Sequence, residues 1–375
     1  MDLRSVVSLY ESAENLGAPV ASVHLDTTHD DRLSATHIEH RWRALRDGLA
    51  EHGCDEATLT VLDKAVGGVP DLPGPQGESV FAADGRLLGV HTLAAPPLRD
   101  HAALLPIPDA LALVIDLDHQ LPHVVVAVDE HGADVDAFPV SAEQPDTRRT
   151  FHGSTLHLAG LLADGPVTGV TRRRREGPWG SVADQVAQDV LAAVREVKAR
   201  MVAVTGEPQA LESLRDRLSP AFSAPGDIPP DLVLVTGGRP SGGDPAALAE
   251  LRRSVDAALH DATTARHRAA LERFRGDLAR HRAAEGVPDT ATAFARGRAT
   301  ALLLAADRDD DPQLYASATD PRALATQAPA LDGDPTAFAG QAGALLLRSA
   351  VAAGAEFSEI LTPHQVPDGA GALLR

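Results

Sequence analysis

Hydrophobic and polar positions along the chain fall into three successive blocks, each mixing strand and helix patterns. In residues 1–118, Ala21 to Leu25 reads as a strand ending at Asp26-Thr27-Thr28. The stretch 34–52 then reads as an amphipathic helix with Ile38, Trp42, Leu45 and Leu49 on one face. Val80-Phe81-Ala82 and Leu87 to Val90 flank Asp84-Gly85, a strong hairpin signal, and Leu111 to Leu117 reads as another strand. In residues 119–245, His123 to Asp129 is a strand that turns at Glu130-His131-Gly132 and returns over Ala133 to Phe138. A basic loop, TRRRREGPWG at 171–180, leads to a helix over Ser181 to Lys198 with Val182, Val186, Val190 and Val194 at four-residue spacing. Ser181 and Asp184 suit a cap and a first-turn acid. Met201 to Val204 and Leu232 to Val235 are strands, with a helix over 209–218 between them. In residues 246–375 a helix runs from near Pro245 toward Arg282, Ala301 to Ala305 is a strand, 337–354 is a helix closed by Gly354, and Phe357 to Leu361 is a short strand. The pattern predicts an α/β (α+β) chain of three mixed α/β domains: 1–118, 119–245 and 246–375.

Composition narrows the class. With 375 residues, 44% of them hydrophobic and 3% aromatic, the chain can bury several largely aliphatic cores. Its lone cysteine, Cys54, excludes an internal disulfide and a cysteine zinc site. The N-terminal stretch lacks a signal-peptide pattern, and no apolar run reaches the roughly 18 residues of a membrane span. These features predict a cytoplasmic protein without a membrane partner. The net charge of −19 argues against nucleic-acid binding over the whole surface, so any RNA contact must come from local basic patches.

Candidate chemistry is sparse. The glycine run at 237–243 follows a strand and precedes a helix, but it lacks the Lys-Ser/Thr pair of a phosphate loop. His24, Asp26, His29, Asp30 and Asp31 crowd a strand end where imidazole and carboxylate could hold a divalent ion, although the spacing matches no known ligand set. The acidic run Asp307, Asp309, Asp310 and Asp311 lacks the glycine and distal glutamate of a calcium loop. Acids near Cys54 would raise its thiol pKa, which disfavours a nucleophile. No metal or cofactor is expected. The strongest signal is Arg172, Arg173, Arg174 and Arg175 beside Gly177, Trp179 and Gly180. Arginines pair with phosphates, an indole stacks on bases, and glycines let a backbone approach closely.

The order of a strand ending in a His/Asp-rich turn, HRWRALRD at 40–47, VVVAVD at 124–129, the basic loop, a long helix, MVAVTGE at 201–207 and a final VPDGAGALLR at 366–375 resembles the bacterial branch of the archaeal and eukaryotic release-factor-1/Pelota family, in particular its actinobacterial, Balon-like ribosome hibernation group. The resemblance implies an N-terminal α/β domain, a middle domain and a C-terminal domain similar to ribosomal proteins. It also implies binding in the ribosomal A site, contacts to rRNA and ribosomal proteins, and help from a translational GTPase such as elongation factor Tu. Release factors of this family carry a Gly-Gly-Gln loop ahead of the middle domain's long helix. Here that stretch is Glu176-Gly177-Pro178-Trp179-Gly180, so the resemblance implies a noncatalytic factor acting in hibernation or rescue under stress, with residues 172–175, 177, 179 and 180 touching RNA. Two other readings stand beside it. A peptidyl-tRNA hydrolase of the same superfamily would need Gln185 at an exposed loop tip. A metal-dependent hydrolase would use His24, Asp26 and His29.

Overall fold

A computed structural model describes residues 1–29, 34–70, 72, 75–144, 149–153, 170–223, 229–239, 245–307, 311–331 and 333–375. The chain divides into two compact units: one is built from Met1–Asp118 and Thr264–Arg375, the other from His119–Thr263.

The N-terminal part of the first unit begins with helix α1 (Arg4–Leu16), closed by Gly17 in the left-handed conformation. Strand β1 (Val20–Asp26), helices α2 (Ser34–Glu51) and α3 (Glu56–Ala65), strands β2 (Gly77–Ala83), β3 (Arg86–Leu93) and β4 (His101–Leu105), and helix α4 (Leu111–Asp118) follow. The antiparallel strands run in the order β4-β1-β2-β3. The turn joining β2 to β3 places Asp84 and Gly85 at φ 49° and 66°, the two positive values that a tight primed hairpin demands. Ile38, Trp42 and Leu49 of α2 and Leu59 and Leu62 of α3 pack on Val23, Leu25 and Val80 of the sheet. Asp55 caps α3, accepting from the Thr58 amide at 2.9 Å.

The expected strand at Leu111–Leu117 is instead helix α4. Leu113, Val114 and Leu117 are buried, and so are Asp116 and Asp118, so the segment carries no polar stripe to reveal its period. A short apolar run of this kind fits a buried strand and a buried helix equally.

The second unit opens with β5 (His123–Asp129) and β6 (Gly132–Phe138), then the hairpin β7 (Ser141–Gln144) and β8 (Arg149–His152), then β9 (Thr171–Glu176). Helix α5 (Trp179–Val197), β10 (Met201–Gly206), helix α6 (Pro208–Phe222) and β11 (Asp231–Leu234) complete its sheet and the helices packed on it. The five-stranded sheet has the order β11-β10-β5-β6-β9. Strands β11, β10 and β5 pair in parallel, whereas β6 and β9 add antiparallel strands. Val182, Val186 and Val190 of α5 meet Val124, Val126 and Val135 in a dry aliphatic core. The four-residue valine spacing is what lets one helix face cover the sheet.

Helix α7 (Pro245–Leu278) leads into β12 (Ala283–Glu285), α8 (Gly286–Ala295), β13 (Ala299–Ala305), β14 (Gln313–Ser317), β15 (Leu324–Ala325), β16 (Ala337–Gln341), α9 (Ala342–Ala353), β17 (Glu356–Ile360) and β18 (Ala370–Leu374). Two sheets form here in the first unit, β12-β18-β13-β17 and β15-β14-β16. The helix expected over 337–354 starts only at Ala342, because 337–341 is strand β16, paired residue for residue with β14. Alanine and glycine in 337–343 carry too little pattern to separate strand from helix. The left-handed cap at Gly354 is as expected. The architecture is mixed α/β throughout.

Within the first unit the buried carboxylate of Asp118 ties segments that are far apart in sequence. It accepts from His267 Nε2 at 2.9 Å, from Arg266 at 2.8 Å and from the Glu359 amide at 2.8 Å. Burial opposes its charge. The His267 hydrogen bond, the Met1 ammonium and Arg266 outweigh that burial and bring the carboxyl down to about 2.

Candidate functional site

The arginine run forms strand β9, not a loop. Its partner across the ladder explains why. Asp136 faces Arg172 and Asp134 faces Arg174, so an Asp-x-Asp strand meets an Arg-x-Arg strand in register. Opposite charges at directly facing positions favour such pairing. Strand alternation then splits the four arginines between two faces. Arg172 and Arg174 turn to one side and pair with Asp136 at 3.3 Å and Asp134 at 2.8 Å. Arg173 and Arg175 turn to the other side and reach helix α5, pairing with Glu196 at 2.6 Å and Asp189 at 2.5 Å.

A fifth guanidinium completes the network. Arg239, with only 7% of its side chain exposed, binds Asp129 at 3.1 Å, Asp134 at 3.2 Å and Glu176 at 3.1 Å. Five arginines (172, 173, 174, 175 and 239) thus sit among six acids (Asp129, Asp134, Asp136, Glu176, Asp189 and Glu196). The expected free basic patch is therefore a compensated ion-pair lattice. Within it, burial of the Asp136 carboxyl outweighs the pull of the Arg172 guanidinium and pushes its pKa up to about 6. Asp134 is held below the usual carboxylate range, because bonds from Arg239 and Arg174 overcome its burial.

The turn after β9 is fastened to the β5–β6 hairpin. The Gly177 amide donates to His131 O at 2.7 Å, and the Trp179 amide donates to Glu130 O at 3.1 Å. Gly177 takes φ 137°, a value open to few side chains. Across the ladder, a Cβ on Gly132 would lie 1.9 Å from Arg175 O, so the close approach of β6 and β9 there requires glycine. Trp179 is the first residue of α5 and packs against the valine core, with its indole nitrogen buried and unpartnered among the described residues. Its ring is thus largely committed to packing, which leaves little face for stacking on a base. Ser181 donates from Oγ to Pro178 O, so it braces the first turn and does not cap it. Gly180 is exposed, and no atom lies within 4 Å of where its Cβ would be. Arg172 and Arg174 are also exposed.

The other candidates separate cleanly. Gln185 is exposed but lies in the second turn of the regular helix α5, away from any loop tip. His24 is 2% exposed, and both its ring nitrogens are engaged, one with Ser79 Oγ at 2.8 Å and the other with Asp109 O at 2.8 Å. Asp26 pairs with Arg41 at 3.1 Å, and His29 Nδ1 binds Thr27 O at 2.8 Å. Asp30 and Asp31 lie outside the described residues, as do Asp309, Asp310 and the Ser241-Gly242-Gly243 part of the glycine run. The His24–Ser79 contact has the geometry of a base beside a hydroxyl. Ser79 is wholly buried, so no substrate could reach it. The Cys54 thiol is pushed up to about 11 by burial and by Asp55, as expected of a packed and unreactive side chain.

Two residue sets escaped the sequence reading: the Asp134/Asp136 pair and Arg239. The first had a legible signal. Alternating acids in ADVDAF complement every second arginine of TRRRRE once both segments are read as strands. Arg239 had none, because it comes from a turn 63 to 110 residues downstream of its partners.

Comparison with known proteins supports the family resemblance. Residues 122–280 match the family described as bacterial archaeo-eukaryotic release factor family 2. Two Mycobacterium tuberculosis proteins, MT2704 and Rv2629, both described as uncharacterized, are each 29% identical over 204 residues. That covers 53% of this chain and 53% of theirs, so the chain spans about half the length of the curated relatives it matches. Among solved structures, Archaeoglobus fulgidus Pelota is 16% identical with a TM-score of 0.35, over 80% of this chain and 79% of that one. Dom34 of S. cerevisiae, a translation termination-like factor interacting with Hbs1, is 10% identical with a TM-score of 0.41, over 80% and 79%. Likenesses of this depth carry no argument about function. Among the described residues, no helix is long and apolar enough to cross a membrane.

Proposed function

We propose that this protein is a noncatalytic ribosome-binding factor of the release-factor/Pelota type, acting in hibernation or rescue, with rRNA, ribosomal proteins and a translational GTPase as its partners. The observation that carries the reading is the family match over 122–280, a stretch whose turn before the long helix reads Glu-Gly-Pro-Trp-Gly and not Gly-Gly-Gln. The chain has no glutamine at that turn to orient a water, and Gln185 is held in a helix. A hydrolytic role at the peptidyl-transferase centre is therefore disfavoured.

In this reading the RNA-facing groups are Arg172 and Arg174 with the Gly177–Gly180 turn. Arg173 and Arg175 serve the fold by bonding α5. Binding would exchange Asp134 and Asp136 for phosphate oxygens, and loss of the carboxylate partners makes that contact weak and salt-sensitive. The test is co-sedimentation of the purified protein with 70S ribosomes, with and without elongation factor Tu, at low and moderate salt. Comigration with ribosomes, together with no release of peptide from peptidyl-tRNA, is the expected result. Failure to comigrate with either vacant or stress-state ribosomes overturns the reading.

A further inference from the structure

The first unit holds a cavity of about 290 Å³ between α1, the segment preceding α4, the segment following β14, and α9. That volume lies near the lower end of small-molecule sites. Its walls are apolar, formed by Val7, Ile107, Pro108 and Val351. Four polar side chains interrupt them, of which two carry buried donors.

The first is Arg348 on α9, 8% exposed. Its guanidinium donates to the Ser317 and Ala318 carbonyl oxygens, and no carboxylate lies within ion-pair distance of it among the described residues. Five N–H donors are available on a guanidinium, so these two bonds leave donors unused. Glu14 and Asp320 attract it only from beyond ion-pair distance, and burial outweighs them, so the cation is left without a close anion, which is costly. The second is Tyr10 on α1, whose hydroxyl is buried without any hydrogen-bond partner. Burial, reinforced by Asp109, raises its pKa, so the phenol stays a neutral donor. A cation and a neutral O–H donor in one pocket with apolar walls form a receptor for a single anionic group.

The exposed acids Glu11 and Glu14 also line the cavity. They oppose a dianion such as phosphate and would welcome a cationic group on the ligand's outer end. We propose that this cavity binds a small aliphatic carboxylate, its carboxylate held by Arg348 and Tyr10 and its body lying on the apolar walls. Free α-amino acids and simple branched-chain acids share that chemistry, and the acids on α1 favour the former. The site does not depend on the ribosome-binding reading.

The test is calorimetric titration of the full chain with L-leucine, 4-methylpentanoate, 3-methylbutylamine and inorganic phosphate. Both carboxylates are expected to bind one per chain, with Kd of about 1 mM or tighter, and the amine and phosphate not at all. Tighter binding of leucine assigns the site to amino acids, and tighter binding of 4-methylpentanoate assigns it to simple acids. Tyr10→Phe removes only an unpartnered hydroxyl, so it should fold as well as the parent while weakening binding about tenfold. Arg348→Lys should abolish binding. If neither carboxylate binds, or if Tyr10→Phe binds as the parent does, the proposal fails.

Discussion

The arginine run of the second unit and Arg348 of the first meet opposite fates. In the second unit, four consecutive arginines that look like a nucleic-acid patch are each matched by an acid, and Arg239 adds a fifth matched cation. In the first unit, Arg348 lies in a stretch with no basic run around it, and among the described residues no carboxylate pairs with it at ion-pair distance, Glu14 and Asp320 acting on it only from farther off. The difference shows that charge density along a sequence does not measure available charge. Strand pairing places acid beside base at about 5 Å whenever two alternating segments adopt register, so a dense cationic run invites compensation. A solitary arginine on a buried helix face has no ladder to supply a partner.

The sharpest way to break this comparison is to remove the keystone of the compensated lattice. Arg239→Met should destabilise the second unit by about 3 kcal/mol, since it leaves Asp129 and Asp134 without their most buried partner. The chain has two tryptophans, Trp42 in the first unit and Trp179 in the second. Fluorescence-monitored denaturation in a Trp42→Phe background therefore reports the second unit alone. A loss under about 1 kcal/mol would mean that the lattice is solvent-screened and that its arginines are freer than their distances suggest.

Next in size is Asp118 of the first unit. Its folded pKa of about 2 lies below the unfolded value of 3.8. The stabilisation is therefore fully present above pH 3.8 and is lost as pH falls toward 2. A shift of that size is worth about 2 kcal/mol. Asp118→Asn should lower first-unit stability by a similar amount at pH 7 and flatten the acid limb, followed by Trp42 fluorescence in a Trp179→Phe background. Asp136 should behave in the opposite sense. Its carboxyl is pushed up to about 6 from 3.8, so it binds a proton more tightly in the folded state. Second-unit stability should thus fall as pH rises from about 4 to 6, and Asp136→Asn should remove that fall. An unchanged pH profile in the variant would show that Arg172 compensates Asp136 fully.

The legible parts of this fold were those with a clean period. The 38/42/45/49 face of α2 and the valine repeat of α5 stand as the sequence predicts, because one face of each is buried and the other is wet, while the Asp84-Gly85 hairpin and the VVVAVD strand were marked by a turn pair and by β-branched residues even though β2 and β5 are buried on both faces. The illegible parts were mostly buried or nearly featureless: α4 hides Asp116 and Asp118 along with Leu113 and Leu117, and β16 sets a single large apolar residue, Phe338, among alanines, a glycine and a glutamine. The candidate site failed on a different count. A run of four arginines has no hydrophobic alternation of its own, so only its partner strand reveals it as a strand. Arg348 and Tyr10, some 340 residues apart, become neighbours only through tertiary folding.

The smallest effect separates the two faces of β9. Arg172 and Arg174 are exposed and pair across the ladder, so replacing both with alanine should cost the second unit no more than about 1 kcal/mol. Arg173 and Arg175 join the strand to α5, and their double replacement should cost somewhat more, because Asp189 is largely buried and loses its partner. Ribosome co-sedimentation should rank the variants the other way. If the exposed pair touches phosphate, Arg172→Ala/Arg174→Ala weakens comigration and reduces its salt dependence, while Arg173→Ala/Arg175→Ala leaves both near the parent once corrected for folded fraction. Equal loss in the two variants would mean that the lattice acts as a whole, through its shape. No loss in either would move the contact to the Gly177–Gly180 turn, whose exposed Gly180 can approach RNA without any cation.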